Sequence, residues 1–358
     1  MHGNFFPFIR AGKAQHANDW HTGLIPVYLD TQFRNREGYR YIKTVFSIHN
    51  IEFQGKFGVE ILEDVIGIDK SNRMLLEYNK CLNCMKGAIE CANVVTTVSE
   101  NYAHEILNPY FSFGLHDILK KREYKIRGII NGIDTNLFNP ETDLFIKTNY
   151  GIKTRVNKRF NKIELQRDLA LPETAEVPII GMVGRLTPQK GIDLLEQVAE
   201  DIIKSGAQLV ILGTGYPEYE NFLHYLEFAH HDHVRSIIDF SPVMAQRIYA
   251  GADLFLMPSK TEPCGLSQLI ALRYGTIPIV HAVGGLYDTV KPFNAESGEG
   301  CGVTFQSYNA YDMLDAVNRA IAIWSDKDQR RSIMANAMEK DVSWEKSAEQ
   351  YIEVYQSV

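Results

Sequence analysis

A carboxylate stands beside a helix start in Pro258-Ser259-Lys260-Thr261-Glu262-Pro263-Cys264-Gly265-Leu266-Ser267-Gln268-Leu269. The apolar run Asp253-Leu254-Phe255-Leu256-Met257 before it has strand length, and Pro258 and Pro263 keep the connection from becoming helix. From Gly265 the apolar spacing turns helical and stops at Gly275. Unpaired N–H groups in that first turn favour an anion such as a pyrophosphate, with the helix dipole behind them. Glu262 beside such an anion needs another partner, and sugar hydroxyls or a cationic sugar carbon would serve. Taken alone, the loop reads equally as a helix entry with a solvent-facing glutamate.

A second segment adds cations. Gly181-Met182-Val183-Gly184-Arg185-Leu186-Thr187-Pro188-Gln189-Lys190-Gly191 follows the apolar strand Val177-Pro178-Ile179-Ile180 and precedes a helix expected from Ile192 to Lys204. Arg185 and Lys190 thereby stand at the carboxyl end of a strand, where open α/β sheets bind ligands. Gly206 closes the helix, and the next strand, Ala207 to Leu212, ends in Gly213-Thr214-Gly215. Strand, helix and strand alternate in the rhythm of a doubly wound sheet.

These motifs, with Arg273-Tyr274-Gly275-Thr276-Ile277-Pro278 and Gly284-Gly285-Leu286, resemble bacterial glycogen synthases, the ADP-glucose-dependent glucosyltransferases that include plant starch synthases. Asn18-Asp19-Trp20-His21-Thr22-Gly23-Leu24, Ser47-Ile48-His49-Asn50-Ile51 and Asn131-Gly132-Ile133-Asp134 match the same family in order and approximate spacing, so the resemblance runs from about residue 17 to the end. It implies an α/β fold of two doubly wound Rossmann-like domains facing a cleft (GT-B type), and retaining transfer of glucose from ADP-glucose to the non-reducing end of an α-1,4-glucan, glycogen or malto-oligosaccharide. By that resemblance Arg185 and Lys190 neutralise the diphosphate without a metal or other cofactor. The amides at Gly265, Leu266 and Ser267 complete the cradle. Glu262 holds the glucose hydroxyls and supports the cationic centre, and His49 donates to the glucose. Gln189, Gly213, Cys264 and Asn131 join the donor contacts, Tyr249 stacks on the adenine or packs in the core, and Asp19, Trp20 and Asn50 face the acceptor. Many related transferases carry a second glutamate eight residues after the first, for the ribose; here Ile270 stands there, as in glycogen synthases. Tyr216 occupies a position where the family often has Asp.

Composition sets outer bounds. A chain of 358 residues with 45% hydrophobic and 23% charged residues is long enough for two domains with separate cores. A net charge of -7 disfavours nucleic acid and anionic membranes as partners. Met1 to His16 lack the apolar core of a secretory signal, and no apolar run is long enough to span a bilayer, which makes the cytoplasm the expected compartment. Five cysteines give no disulfide framework. Cys81 and Cys84 are expected on one face of a helical stretch from Leu75 to Cys91, as small core residues, and His230, His231 and His233 on a loop without metal.

The expected organisation is a partial acceptor-side domain over 1–139, a polar crossover over 140–176, a nucleotide-sugar domain over 177–342, and a terminal helix over 343–358 that packs back on the first domain. The family opens with a strand and a Lys-x-Gly-Gly-Leu loop that reaches the donor phosphates. No such motif occurs near this N-terminus, and Gly12-Lys13-Ala14-Gln15-His16-Ala17-Asn18 reads as a poor strand. The first domain is therefore expected to be truncated or rearranged, with weak or absent transfer by the chain as given. Two alternatives stand beside the leading reading: a related retaining transferase using UDP-glucose, and a non-catalytic fragment that binds ADP or glucan.

Overall fold

The computed structural model describes residues 14–358. The reading of the leading segment as free of a secretory core falls, up to Lys13, outside the described residues. The chain divides into two units: the residues up to Asn131 together with Glu345–Val358, and Gly132–Trp344.

The first unit is built on a parallel sheet of β1 (Ala14–Asn18), β2 (Lys43–Ile48), β6 (Val94–Thr97) and β7 (Ile126–Gly128), ordered β1-β2-β6-β7. Ala14–Asn18, the described part of the segment that reads as a poor strand, is a strand. It has few β-formers, but β2 supplies a complete parallel partner from Ala14↔Lys43 to Asn18↔Ser47. His16 secures it from the side, one ring nitrogen 2.7 Å from the Ser47 hydroxyl and the other 2.7 Å from the hydroxyl of Tyr355. Tyr355 lies on the terminal helix Trp344–Gln356, whose Val354 packs with Val45 and Ile129, and whose Ser347 hydroxyl donates to the Ile130 carbonyl.

The stretch from Leu75 to Cys91 is not one helix. A short helix Arg73–Leu76 gives way to β4 (Glu77–Tyr78), a turn, and β5 (Cys81–Asn83), with β3 (Lys56–Phe57) on the other side of β5, before the helix Cys84–Cys91. Asn79 and Lys80 take φ of 51° and 65°, the left-handed pair that a two-residue hairpin requires. Helical spacing of the apolar residues masks this turn, because Lys at its second position is not a strong turn signal. Cys84 is buried and its thiol is pushed up to about 11 by that burial.

The second unit holds a six-stranded parallel sheet of β8 (Ile179–Val183), β9 (Gln208–Leu212), β10 (Val234–Ile237), β11 (Leu254–Met257), β12 (Ile277–His281) and β13 (Val303–Phe305), ordered β10-β9-β8-β11-β12-β13. Within the unit this is the dinucleotide-fold order 3-2-1-4-5-6. Helices Ile192–Lys204, Pro217–Ala229 and Ala310–Ser325 supply core side chains such as Leu195, Leu223 and Val317 to one face. Helices Pro242–Gly251 and Ser267–Arg273 supply Tyr249 and Leu269 to a second apolar cluster with Phe255 and Met257 of β11, and Lys158–Asp168 supplies Leu165 to a third with Ile179 of β8 and Val210 of β9.

Residues 140–176, expected as a crossover, lie within this unit. They read as linker because their polar residues are numerous, yet Asp143, Lys158, Asn161, Lys162 and Gln166 are buried and bonded. Tyr274 Oη donates to Asp143 at 2.5 Å, and Tyr150 Oη donates to the Tyr274 carbonyl at 2.7 Å. Lys158 Nζ donates to the carbonyls of Tyr249 (2.9 Å) and Ala250 (2.8 Å) and to Thr276 Oγ1 (2.7 Å). Burial pulls this ammonium down to about 7, and in its protonated form three donors meet three acceptors at the carbonyl end of helix Pro242–Gly251.

Two outcomes follow from these contacts. Lys158→Met should lower the unfolding free energy by about 2 kcal/mol, since the Ala250 carbonyl loses its donor in a dry interior while Thr276 Oγ1 still donates to the Tyr249 carbonyl; an unchanged denaturation midpoint would show that another group satisfies it. His16 is held below its ordinary value of 6.5 by burial and by His49. The folded chain then binds this proton less readily than the unfolded one, so the first unit should lose stability as pH falls below about 6.5. Calorimetric scans of wild type and His16→Gln between pH 5.5 and 7.5 should show a shallower acid limb in the variant.

Candidate active site

Strand order reverses between β8 and β11, which are neighbours through Leu254↔Ile180 and Phe255↔Gly181. Loops leaving the carboxyl ends of two such strands diverge and open a crevice. The β8 loop carries Arg185 and Lys190, and the β11 loop carries Glu262, so the topology brings the three together.

Glu262 is 7% exposed. One carboxylate oxygen, Oε2, accepts from Lys190 Nζ at 2.6 Å and from the Ser259 hydroxyl at 2.9 Å. The other oxygen has no protein donor among the described residues. Gly191 places Lys190: its φ of 75° turns the chain into helix Ile192–Lys204, and a Cβ there would collide with the Pro258 carbonyl. Behind Glu262, the Gly285 N–H donates to the Glu262 carbonyl at 3.0 Å, and Gly284 sits so close that a side chain would displace that carbonyl. Gln189 is turned inward, its amide donating to Thr261 Oγ1 at 3.1 Å while its carbonyl accepts from Lys260 N–H at 2.9 Å. It braces the two loops, which differs from the donor contact expected of it. Thr187 Oγ1, in the same loop, is buried without a partner.

Arg185 is exposed and belongs to no ion pair among the described residues. With Gly184, Gly213 and Thr214 it edges a cavity of about 460 Å³ whose other walls include Phe138, Val243 and Ile270. The cavity is apolar, and Phe240, 86% exposed, stands at its side. Tyr249 is 3% exposed, with Phe255 and Tyr274 against its ring at 5.1 and 6.3 Å. It forms part of the cavity floor and has no free face for a stacked base; burial pushes its hydroxyl, which meets Ser267, up to about 12. Gly265 takes φ of 71°, Cys264 is buried, and Leu266 is exposed. The N–H groups of Gly265, Leu266 and Ser267 meet no protein acceptor among the described residues, although the helix they open, Ser267–Arg273, is short.

In the first unit, the ends of β1 and β2 bring Asp19 beside His49. Asp19 takes φ of 52°, costly for a residue with a side chain, and its Oδ1 accepts the His49 N–H at 2.9 Å. His49 Nε2 lies 3.0 Å from Asn18 Oδ1. Asn50 Oδ1 accepts from Glu52 N–H at 3.0 Å, and Trp20 stacks on His21 with Gly55 packed against its ring. Asn131 Oδ1, also in this unit, is a buried acceptor without a donor. Sequence reasoning missed Ser259 and His281, whose Nδ1 lies 2.8 Å from the Ser259 carbonyl. The hydroxyl three residues before Glu262 was the available signal for the first; the second had none. Of the three loop histidines, His230 Nε2 lies 2.8 Å from Glu200.

Residues 13–121 match the starch synthase catalytic domain model, and residues 163–340 match the glycosyl transferases group 1 model. The chain is 45% identical over 344 residues to the glycogen synthase of Clostridium acetobutylicum, covering 95% of this chain and 72% of that one. The chain belongs to the glycogen and starch synthase family. The glycogen synthase of Bacillus subtilis is 43% identical over 346 residues, with 96% of this chain and 72% of that one covered. Among solved structures, the catalytic domain of starch synthase IV from Arabidopsis thaliana, bound to ADP and acarbose, superposes with a TM-score of 0.89 at 34% identity, covering 96% of this chain and 72% of that chain. The protein is thus a hexosyltransferase of the glycogen synthase type with the GT-B fold. No helix among the described residues is long and apolar enough to cross a membrane.

For this family member the Lys190–Glu262 pair should be measurable as a coupling. Lys190→Met and Glu262→Gln should each cost about 2 kcal/mol of stability, and the double variant less than their sum by about 1 kcal/mol or more. Strict additivity in denaturant titrations would show that the two charges do not support each other.

Proposed function

We propose that this chain transfers glucose from ADP-glucose to the non-reducing end of an α-1,4-glucan with retention of configuration. The observation that carries this reading is the buried Glu262 carboxylate, held by Lys190 at the strand reversal, with exposed, unpaired Arg185 edging an apolar cavity. A nucleoside diphosphate sugar has three parts, and these three features suit them. The base enters the apolar cavity. Its diphosphate meets Arg185, Lys190 and the unpaired amides from Gly265 to Ser267, cations and amides serving where other transferases use a metal ion. Lys190 has three donors and can keep Glu262 while reaching a phosphate. Apolar Ile270 at the cavity wall supports a ribose held without a carboxylate.

Transfer breaks the bond between the anomeric carbon and the diphosphate oxygen while an acceptor hydroxyl bonds to that carbon on the same face. Positive charge grows on the sugar and negative charge on the leaving diphosphate. Glu262 opposes the first and Arg185 with Lys190 the second, in positions fixed before substrate arrives. In this reading His49 serves the glucose and Asp19, Trp20 and Asn50 the glucan, with Asn131 offering its unpaired oxygen to a donor hydroxyl. The five cysteines, all free of disulfides, support work in the cytoplasm.

Calorimetry and steady-state kinetics test the assignment. Arg185→Ala should weaken ADP binding by about one to two decades, the loss of one charge-assisted hydrogen bond. Glu262→Gln should leave ADP affinity unchanged or tighter while kcat for glycogen elongation falls by about two decades or more. A rise confined to KM would make Glu262 a binding residue only, and preference for UDP-glucose over ADP-glucose would remove the donor assignment.

A further inference from the structure

Away from the strand reversal, the second unit holds a groove of about 500 Å³ bordered by three segments far apart in sequence: residues 153–162, the Ala175-Glu176 turn, and residues 324–334. Its floor carries Trp324, over whose ring lie Lys162 Nζ at 4.6 Å and the Arg330 guanidinium carbon at 4.9 Å. Lys162 is spoken for, paired at 2.8 Å with Asp253, whose same oxygen also accepts the Ile179 N–H. Lys158, also on the lining, is held by the Tyr249 and Ala250 carbonyls and Thr276 Oγ1, and the other six cations, Lys153, Arg155, Arg159, Lys327, Arg330 and Arg331, belong to no ion pair among the described residues. Glu176 is the one other carboxylate on the lining.

Such a ring is unusual on a chain whose net charge is -7. Like charges gathered around a concavity repel one another and focus a positive potential into it. An amphipathic helix explains Lys327, Arg330 and Arg331, which fall at i, i+3 and i+4, but not their meeting with Lys153, Arg155 and Arg159 from a different part of the chain. Guanidinium groups from both segments can grip phosphate oxygens in pairs, and the volume is that of a small-ligand site. It is too small and too concave for a polymer backbone to track, which disfavours nucleic acid.

We propose that this groove is a second anion site, distinct from the donor site, that binds a small metabolite carrying two or more phosphoryl groups through Arg155, Arg159, Arg330 and Arg331. Inorganic pyrophosphate is the probe. Titrated calorimetrically into the full chain and into its Arg185→Ala variant, whose donor site is weakened, it should bind at least tenfold more tightly than inorganic phosphate, and its affinity should fall steeply with added salt. Arg155→Ala combined with Arg331→Ala should weaken it tenfold or more with the melting temperature preserved. Arg331→Glu alone should do the same, and provides the test should the double variant fold poorly. Arg185→Ala should leave this binding event unchanged. The proposal is overturned if pyrophosphate does not bind the Arg185→Ala chain, if the groove substitutions leave its affinity intact, or if a short duplex DNA competes more strongly than pyrophosphate.

Discussion

The ion pair between Lys190 and Glu262 governs the arrangement of the second unit's chemistry. A carboxylate at 7% exposure has lost most of its water and needs hydrogen-bond donors in its place. Lys190 supplies that cation from the neighbouring strand's loop, and the backbone contacts around the pair exist to make the distance possible. Gly191 brings the β8 loop against Pro258, and Gly284 and Gly285 bring the following helix against the Glu262 carbonyl from behind. Any bulk at these points would separate the charges. The pair is thus positioned by the protein's own backbone contacts.

A second constraint is the way polar side chains replace apolar ones in the packing of residues 132–176. Lys158 ties this segment to the end of helix Pro242–Gly251, which contributes Tyr249 to the floor of the apolar cavity. Asp143 does the same for Tyr274. These bonds are directional, so they fix the position of the helix along its axis more sharply than an apolar contact of equal area would. The cavity's shape rests on them.

How much of this was legible from the residues depends on which signals are local. Helix Ile192–Lys204 and strands β9 and β11 follow from periodicity and the residues that bound them, while β8 starts two residues later than the expected Val177–Ile180 and runs on through Gly181 to Val183. Arg185, Lys190 and Glu262 were legible as a set because parallel strands put their loops at one edge. Three things were hidden. β1 is made a strand by its neighbour and by His16, not by its own composition. The hairpin at Asn79-Lys80 lies under a helical apolar pattern. Residues 140–176 carry a linker's composition with a core segment's contacts, since a buried lysine with three acceptors and a solvated one are identical in sequence. Gln189 and Tyr249 show the same limit within the site: residue type indicated contact with a ligand, while packing turned both toward the protein.

The terminal helix gives the chain an order of assembly. Its Val354, Tyr355 and Ser347 close the apolar cluster at Val45 and Ile129 and complete the contacts of β1, yet they follow every residue of the second unit. During synthesis the first unit must wait, its sheet lacking that helix, until more than 200 intervening residues (132–344) have left the ribosome. The second unit has no such dependence and can fold as it emerges. The half made first is thus finished last, and for that interval its unfinished face is open to chaperones and to proteases.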